Sequence, residues 1–134
     1  MIHREDAEQQ ALIQWADIVP MPPGQALHRG AKVGDYLFAV PNGGARRPIE
    51  AARLKGLGVR SGVSDLFFSF PSPGTPPKHG LYIEMKAQKP HAARVTTNQH
   101  AFQERMLLAG YASVVCYGWD AARRAISMYL RCEL

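Results

Sequence analysis

Cysteine is scarce in this chain: Cys116 and Cys132 are the only two among 134 residues, and neither sits in a CxxC pair or a Cys/His array with zinc-ligand spacing. A disulfide-stapled scaffold and a structural zinc module are therefore excluded, and both thiols are expected to be buried and reduced. Long hydrophobic runs are missing too. Nothing approaches the roughly 20 apolar residues that cross a bilayer, so no membrane partner is expected. The opening Met1-Ile2-His3-Arg4-Glu5-Asp6 has no apolar signal-peptide core, and a cytoplasmic protein is the expectation. The five histidines, His3, His28, His79, His91 and His100, lack metal-ligand spacing and read as surface residues. There is no nucleotide-cradling P-loop and no internal repeat.

What is present is an ordinary globular composition with a basic bias. A chain with 46% hydrophobic and 20% charged residues can bury a core of its own, and one domain over 1–134 is expected. The net charge of +5 and a pI near 9.5 favour an anionic partner. Arg46, Arg47, Arg53, Lys55 and Arg60 crowd one segment, which suits a phosphate backbone or, more plainly, a solvated helix face. Just before them, Pro41-Asn42-Gly43-Gly44 has glycines that let backbone N–H groups approach a ligand; a simple turn explains them equally well.

Hydrophobic spacing predicts a helix from Glu5 to about Val19, stopped by Pro20-Met21-Pro22-Pro23-Gly24. A loop to Asp35 leads into a buried strand at Tyr36-Leu37-Phe38-Ala39-Val40, then a short helix from Pro48 ended by Gly56 or Gly58. Asp65 to Phe70 and Leu81 to Lys86 read as a hairpin around a long Pro/Gly-rich loop. A helix from Thr96 or Thr97 to Leu108, a strand from Tyr111 to Tyr117 and a helix from Trp119 to Leu130 complete an α-β-α-β-β-α-β-α order. In the last helix Ala122, Ile126 and Tyr129 or Leu130 face inward. Trp15, Trp119, Phe102 and the strand aromatics follow element periodicity and are expected in the core rather than as base-stacking platforms.

The chemistry centres on Gly62-Val63-Ser64-Asp65 and on Glu84-Met85-Lys86, whose glutamate follows Asp65 by nineteen residues. Alternate strand residues share a face, so Glu84 and Lys86 project together. A hairpin symmetric about its loop sets Asp65 near Lys86 and diagonal to Glu84. Two carboxylates so placed can share a hard divalent ion such as Mg²⁺ or Mn²⁺, with the Met85 carbonyl as a further ligand, and Lys86 can act on water or on phosphate oxygens. A Glu-Lys and Asp-Lys pair on a solvated sheet face is the competing reading. Gln99 shares a helix face with Phe102 and Met106 and points at the sheet, where it can orient the lysine or a phosphate; a solvent-exposed glutamine is the plainer option. Glu5 falls within the apolar stripe of the first helix, and Glu8 lies toward it.

Taken in order, these pieces resemble the VRR-NUC domain family, a branch of the PD-(D/E)xK nuclease superfamily. The matching features are Glu5 with Gln9, Pro41-Asn42-Gly43-Gly44 with Arg46, and Ala51-Ala52-Arg53-Leu54-Lys55 leading to Gly58. Gly62-Val63-Ser64-Asp65, Leu81-Tyr82-Ile83-Glu84-Met85-Lys86, Gln99 and Gly110-Tyr111 follow. The likeness spans Glu5 to about Leu130. It implies an α/β restriction-endonuclease-like core with a central mixed sheet flanked by helices, and divalent-metal phosphodiester hydrolysis. It further implies that Asp65 and Glu84 bind metal, Lys86 is catalytic, and Gln99 and Glu5 complete the site. The resemblance is to small stand-alone phage or bacterial members, which implies a protein that can act as a homodimer on branched DNA. The family usually has proline where this chain has Ser64; that residue stiffens backbone without contributing a ligand. Glu8 is the alternative helix acid, and Glu5 is favoured because Gln9 follows it by one turn.

The expectation is a metal-dependent DNA endonuclease whose segment around Asn42, Gly43, Gly44, Arg46, Arg47, Arg53, Lys55 and Arg60 grips the backbone. The rival from another class is a structured-DNA-binding module that keeps the fold without cutting. A small-molecule phosphohydrolase finds no supporting motif.

Overall fold

A computed structural model of the protein describes residues 4–41 and 47–134. Its elements are α1 (Arg4–Ala16), β1 (Leu37–Ala39), α2 (Pro48–Gly56), β2 (Leu66–Phe68), β3 (Leu81–Lys86), α3 (Thr97–Leu108), β4 (Ala112–Tyr117) and α4 (Trp119–Leu130). Short 3₁₀ turns at Pro23–Gln25 and Val33–Asp35 shape the connection before β1. The element order is the one the sequence patterning predicts.

Local chemistry sets the helix ends. Thr96 Oγ1 accepts the Gln99 backbone N–H at 3.1 Å while Gln99 Oε1 accepts the Thr96 N–H at 2.9 Å, a capping box that starts α3. Gly110, at φ +94°, follows its end in the left-handed region that glycine tolerates. Helix α1 ends at Ala16, sooner than its apolar spacing suggests, because Val19 is already extended: its carbonyl accepts the Val33 N–H at 2.9 Å.

The strands form one mixed sheet in the order β1-β2-β3-β4, antiparallel except for the parallel pair β3 and β4. Helices α1 and α4 pack on one face and α3 lies over β4 on the other. Between α1, α4 and the sheet, Leu12, Leu66, Phe68, Leu81, Ile83, Met85, Ile126 and Tyr129 are fully shielded, and the Tyr129 hydroxyl donates to the Phe70 carbonyl at 2.6 Å. Both Tyr129 and Leu130 of α4 turn inward.

Four expectations are corrected. The hairpin pairs Leu66 with Ile83 and Phe68 with Leu81, two residues out of the symmetric register, so Asp65 lies beside Glu84 and Met85 instead of across from Lys86. The strand at β1 is a short edge strand with only Leu37 buried, because among the described residues no further strand pairs alongside it. Phe38, Phe67 and Tyr82 are correspondingly half-open to solvent rather than core, whereas Phe102 is buried and Trp15 and Trp119 pack against the core. Cys116 is buried, but Cys132 is exposed beyond the last helix. The four described histidines, His28, His79, His91 and His100, are exposed as expected; His3 lies outside the described residues.

Candidate metal centre

From Ile83 to Lys86, strand β3 is covered on both faces, which takes Glu84 and Lys86 out of water: they are 2% and 4% exposed. The reading of these groups as a solvated surface pair therefore fails. Asp65, just before β2, turns its Oδ2 to accept the Met85 backbone N–H at 2.7 Å, which locks the carboxylate against β3. From α1, Glu5 reaches the same spot. One carboxylate oxygen from each of Glu5, Asp65 and Glu84 lies within 4.8 Å of the others.

Gln99 ties the lysine to the acids. Its Oε1 accepts from Lys86 Nζ at 3.2 Å and its Nε2 donates to Glu84 Oε2 at 3.1 Å. Lys86 Nζ also donates to the Arg94 carbonyl at 3.5 Å and stands 4.0 Å from Glu84 Oε2. Because the same Gln99 closes the α3 capping box, the helix start and the site share one side chain. A second clamp, Asn98 Nδ2 to Ser61 Oγ at 2.9 Å, holds the chain leading to Asp65 against α3. Gly62, at φ +88°, backs onto the Asn98 carbonyl so closely that no Cβ fits.

The electrostatics are those of an unbalanced anionic site. Burial, then the adjoining Asp65 carboxyl and the Glu5 charge, push Glu84 up to about 9 against the opposing pull of Lys86. Glu5 is raised as well, by burial and by Asp65. Glu84 Oε1 is buried and finds no hydrogen-bond donor among the described residues, so a proton shared with its neighbour or a cation is what can satisfy it. Three carboxylates against one ammonium leave two uncompensated negative charges when all ionise, the charge of one divalent cation. An all-oxygen donor set suits a hard ion. The residues present thus fit the implied metal; its identity is left open by carboxylates alone.

Glu8 is elsewhere. Its Oε1 accepts the Trp119 N–H at 2.9 Å and its Oε2 accepts from Gln88 Nε2 at 3.2 Å, so it caps α4, where Gly118 has no side chain to do so. Arg47, Arg53, Lys55 and Arg60 are all exposed. Lys55 and Arg60 line a cleft of about 460 Å³, with Ser61, Gly62 and Thr96, that reaches Gln99; Arg47 and Arg53 do not line it. Arg60 donates to the Lys55 carbonyl at 3.0 Å, while Arg53 stands 3.9 Å from Glu50. Asn42, Gly43, Gly44 and Arg46 lie outside the described residues. Sequence patterning did not mark Arg94, Ser61 or Asn98, which act through a backbone carbonyl and a loop-to-helix clamp that no periodicity reveals.

No family model and no curated protein matches the chain. Among solved structures, the chain is similar to a protein described as a VRR_NUC domain protein, with 26% identity, a TM-score of 0.75, and coverage of 98% of this chain and 91% of that one. The fold is that of a VRR-NUC domain. A mixed four-stranded sheet flanked by helices, with an acid of α1 and the acids of the β2–β3 hairpin brought to one point, is thus a nuclease-type architecture. No helix among the described residues of this VRR-NUC fold is long and apolar enough to cross a membrane.

Proposed function

We propose that the protein is a metal-dependent DNA endonuclease, and that Glu5, Asp65 and Glu84 hold Mg²⁺ or Mn²⁺. The observation that carries this reading is the buried, donorless Glu84 Oε1 within 4.8 Å reach of two further carboxylates. An uncompensated acid in a fold interior is destabilising by several kcal/mol in order of magnitude unless something binds it. The ion supplies Lewis-acid stabilisation of the charge that grows on the phosphate oxygens.

The chain's own groups do the rest. Asp65, anchored by the Met85 N–H, and Glu84, anchored by Gln99, present oxygens of fixed direction; the Met85 carbonyl is assigned as an additional ligand. Lys86, held by Gln99 and the Arg94 carbonyl, delivers a cation to the scissile phosphate or takes part in proton transfer with the attacking water. Gln99 fixes the lysine and the glutamate together, so that in-line attack meets a preorganised site. Lys55 and Arg60 in the adjoining cleft, with Arg46, Arg47 and Arg53 and the Asn42-Gly43-Gly44 segment, grip the DNA backbone. We extend this to branched DNA as the substrate and a homodimer as the assembly, on the resemblance to VRR-NUC proteins alone.

The test is cleavage of single-stranded, nicked, flapped and four-way DNA in Mg²⁺ or Mn²⁺ by the wild type and by Asp65→Asn, Glu84→Gln and Lys86→Ala. Loss of cleavage in each variant with binding retained is expected. Undiminished activity in all three removes the site assignment, and wild-type binding without cleavage favours a non-cutting module. Lys55→Ala and Arg60→Ala should each lower the salt slope of binding by about 1.

A further inference from the structure

The sheet face that carries the acids also carries a row of aromatic rings that α3 covers at one end only. In register across three strands, Phe38 of β1 stands opposite Phe67 of β2, and Phe67 opposite Tyr82 of β3. Their ring centroids are 5.7 and 4.5 Å apart. Phe38, at the open edge, is 49% exposed, and Phe67 and Tyr82 are half-buried. Helix α3 reaches this row at one end, where Phe102 packs edge-on to Tyr82 at 5.1 Å, and Tyr111 just beyond it stands 5.4 Å from Tyr82 and 6.0 Å from Phe67, which leaves Phe38 as the most open ring. Gly80 makes room for the middle ring: a Cβ there would come within 2.5 Å of Phe67 Cζ.

The row sits next to the reactive centre. Asp65 and Phe67 are two residues apart on one side of the hairpin, and Tyr82 and Glu84 on the other, so the aromatic row and the acidic row run side by side about 7 Å apart. We infer that Phe38, Phe67 and Tyr82 form a stacking platform for unpaired DNA bases next to the phosphate held at the acidic centre. This rests on the reading of Glu5, Asp65 and Glu84 as a phosphodiester-cleaving site. Rings of this kind stack on any base through its π face, which gives sequence-tolerant binding of single strands. Within β1, β2 and β3 the sole acid is Glu84, which belongs with Asp65 and Glu5 to the acidic centre, and Lys78 and His79 precede β3 at the far end, so repulsion of a polyanion is confined to the end of the row where a cation would sit. A second copy of this chain is the weaker occupant. A three-residue edge strand offers little ladder to extend, and three partly covered rings fall short of the ~800 Å² per partner of a stable interface.

Binding is measured in EDTA, where nothing is cut, by fluorescence anisotropy with a short oligodeoxythymidine and an abasic strand of equal length. The wild type should prefer the oligothymidine. Phe38→Ala should weaken that binding by roughly 10-fold with abasic binding unchanged, and Phe38→Trp should restore it. Equal affinity for the two strands, or no effect of Phe38→Ala, overturns the platform. So does a Phe38→Ala variant that loses self-association while binding DNA as before, which assigns the row to contact between copies. The cleavage reading fails separately: a wild type that prefers bases but never cuts in Mg²⁺ keeps the platform, and an active enzyme indifferent to bases keeps only the nuclease.

Discussion

Replacing Glu84 by glutamine should abolish cleavage and at the same time stabilise the metal-free fold. In the folded chain this carboxyl is pushed up to about 9 from a value of 4.5, chiefly by burial and by Asp65. Between those values the native state binds the proton that the unfolded chain releases, so stability falls as pH rises from about 4.5 toward 9 and is flat on either side. At pH 7 the effect is on the order of 3 kcal/mol, at about 1.4 kcal/mol per pKa unit. Glutamine removes that linkage, and its amide suits the surroundings: the oxygen can accept from Gln99 Nε2, and the nitrogen can donate toward Asp65 where Glu84 Oε1 now lacks a donor.

The assay is urea denaturation of wild type and Glu84→Gln in EDTA at pH 5, 7 and 8.5. The variant should gain over the wild type as pH rises, and excess Mg²⁺ should stabilise the wild type by about 1.4 kcal/mol per tenfold excess over its dissociation constant while leaving the variant nearly unchanged. Parallel stability curves for the two proteins, or a variant weaker than the wild type at pH 8.5 without metal, would refute both the buried-acid argument and the charge imbalance that motivates the metal.

Four other substitutions separate site from scaffold. Glu8→Ala should cost about 1 kcal/mol in thermal or urea melts through loss of the α4 cap, with cleavage per folded molecule retained, whereas Glu5→Gln should cut activity with little loss of stability. Gly62→Ala should reduce kcat more than 10-fold, since a Cβ at φ +88° meets the Asn98 carbonyl and displaces the α3 start that holds Gln99; unchanged kinetics would show that the clamp is not needed. Ser64→Ala should be neutral or stabilising by up to about 1 kcal/mol in a melt, because the buried Ser64 Oγ has no hydrogen-bond partner among the described residues.

Much of this arrangement is legible in the chain because it is local. Thr96 with Gln99 encodes a capping box, Gly110 a helix stop, and Pro48 a first turn, and each element formed where those signals stand. Hairpin register is different in kind. A slip of two residues returns every side chain to its own face, so alternation of Leu66, Phe68, Leu81 and Ile83 is equally satisfied by both pairings. The observed pairing comes with a long-range bond, Met85 N–H to Asp65 Oδ2, which no count along the sequence contains. The same holds for exposure: Tyr36-Leu37-Phe38-Ala39-Val40 reads as buried because apolar content does not reveal whether a further strand pairs alongside. The two uncertainties meet on one face of the sheet. The register that sets Asp65 against Glu84 also aligns Phe38, Phe67 and Tyr82 into a row beside them, so the acids and the open rings are consequences of a single pairing.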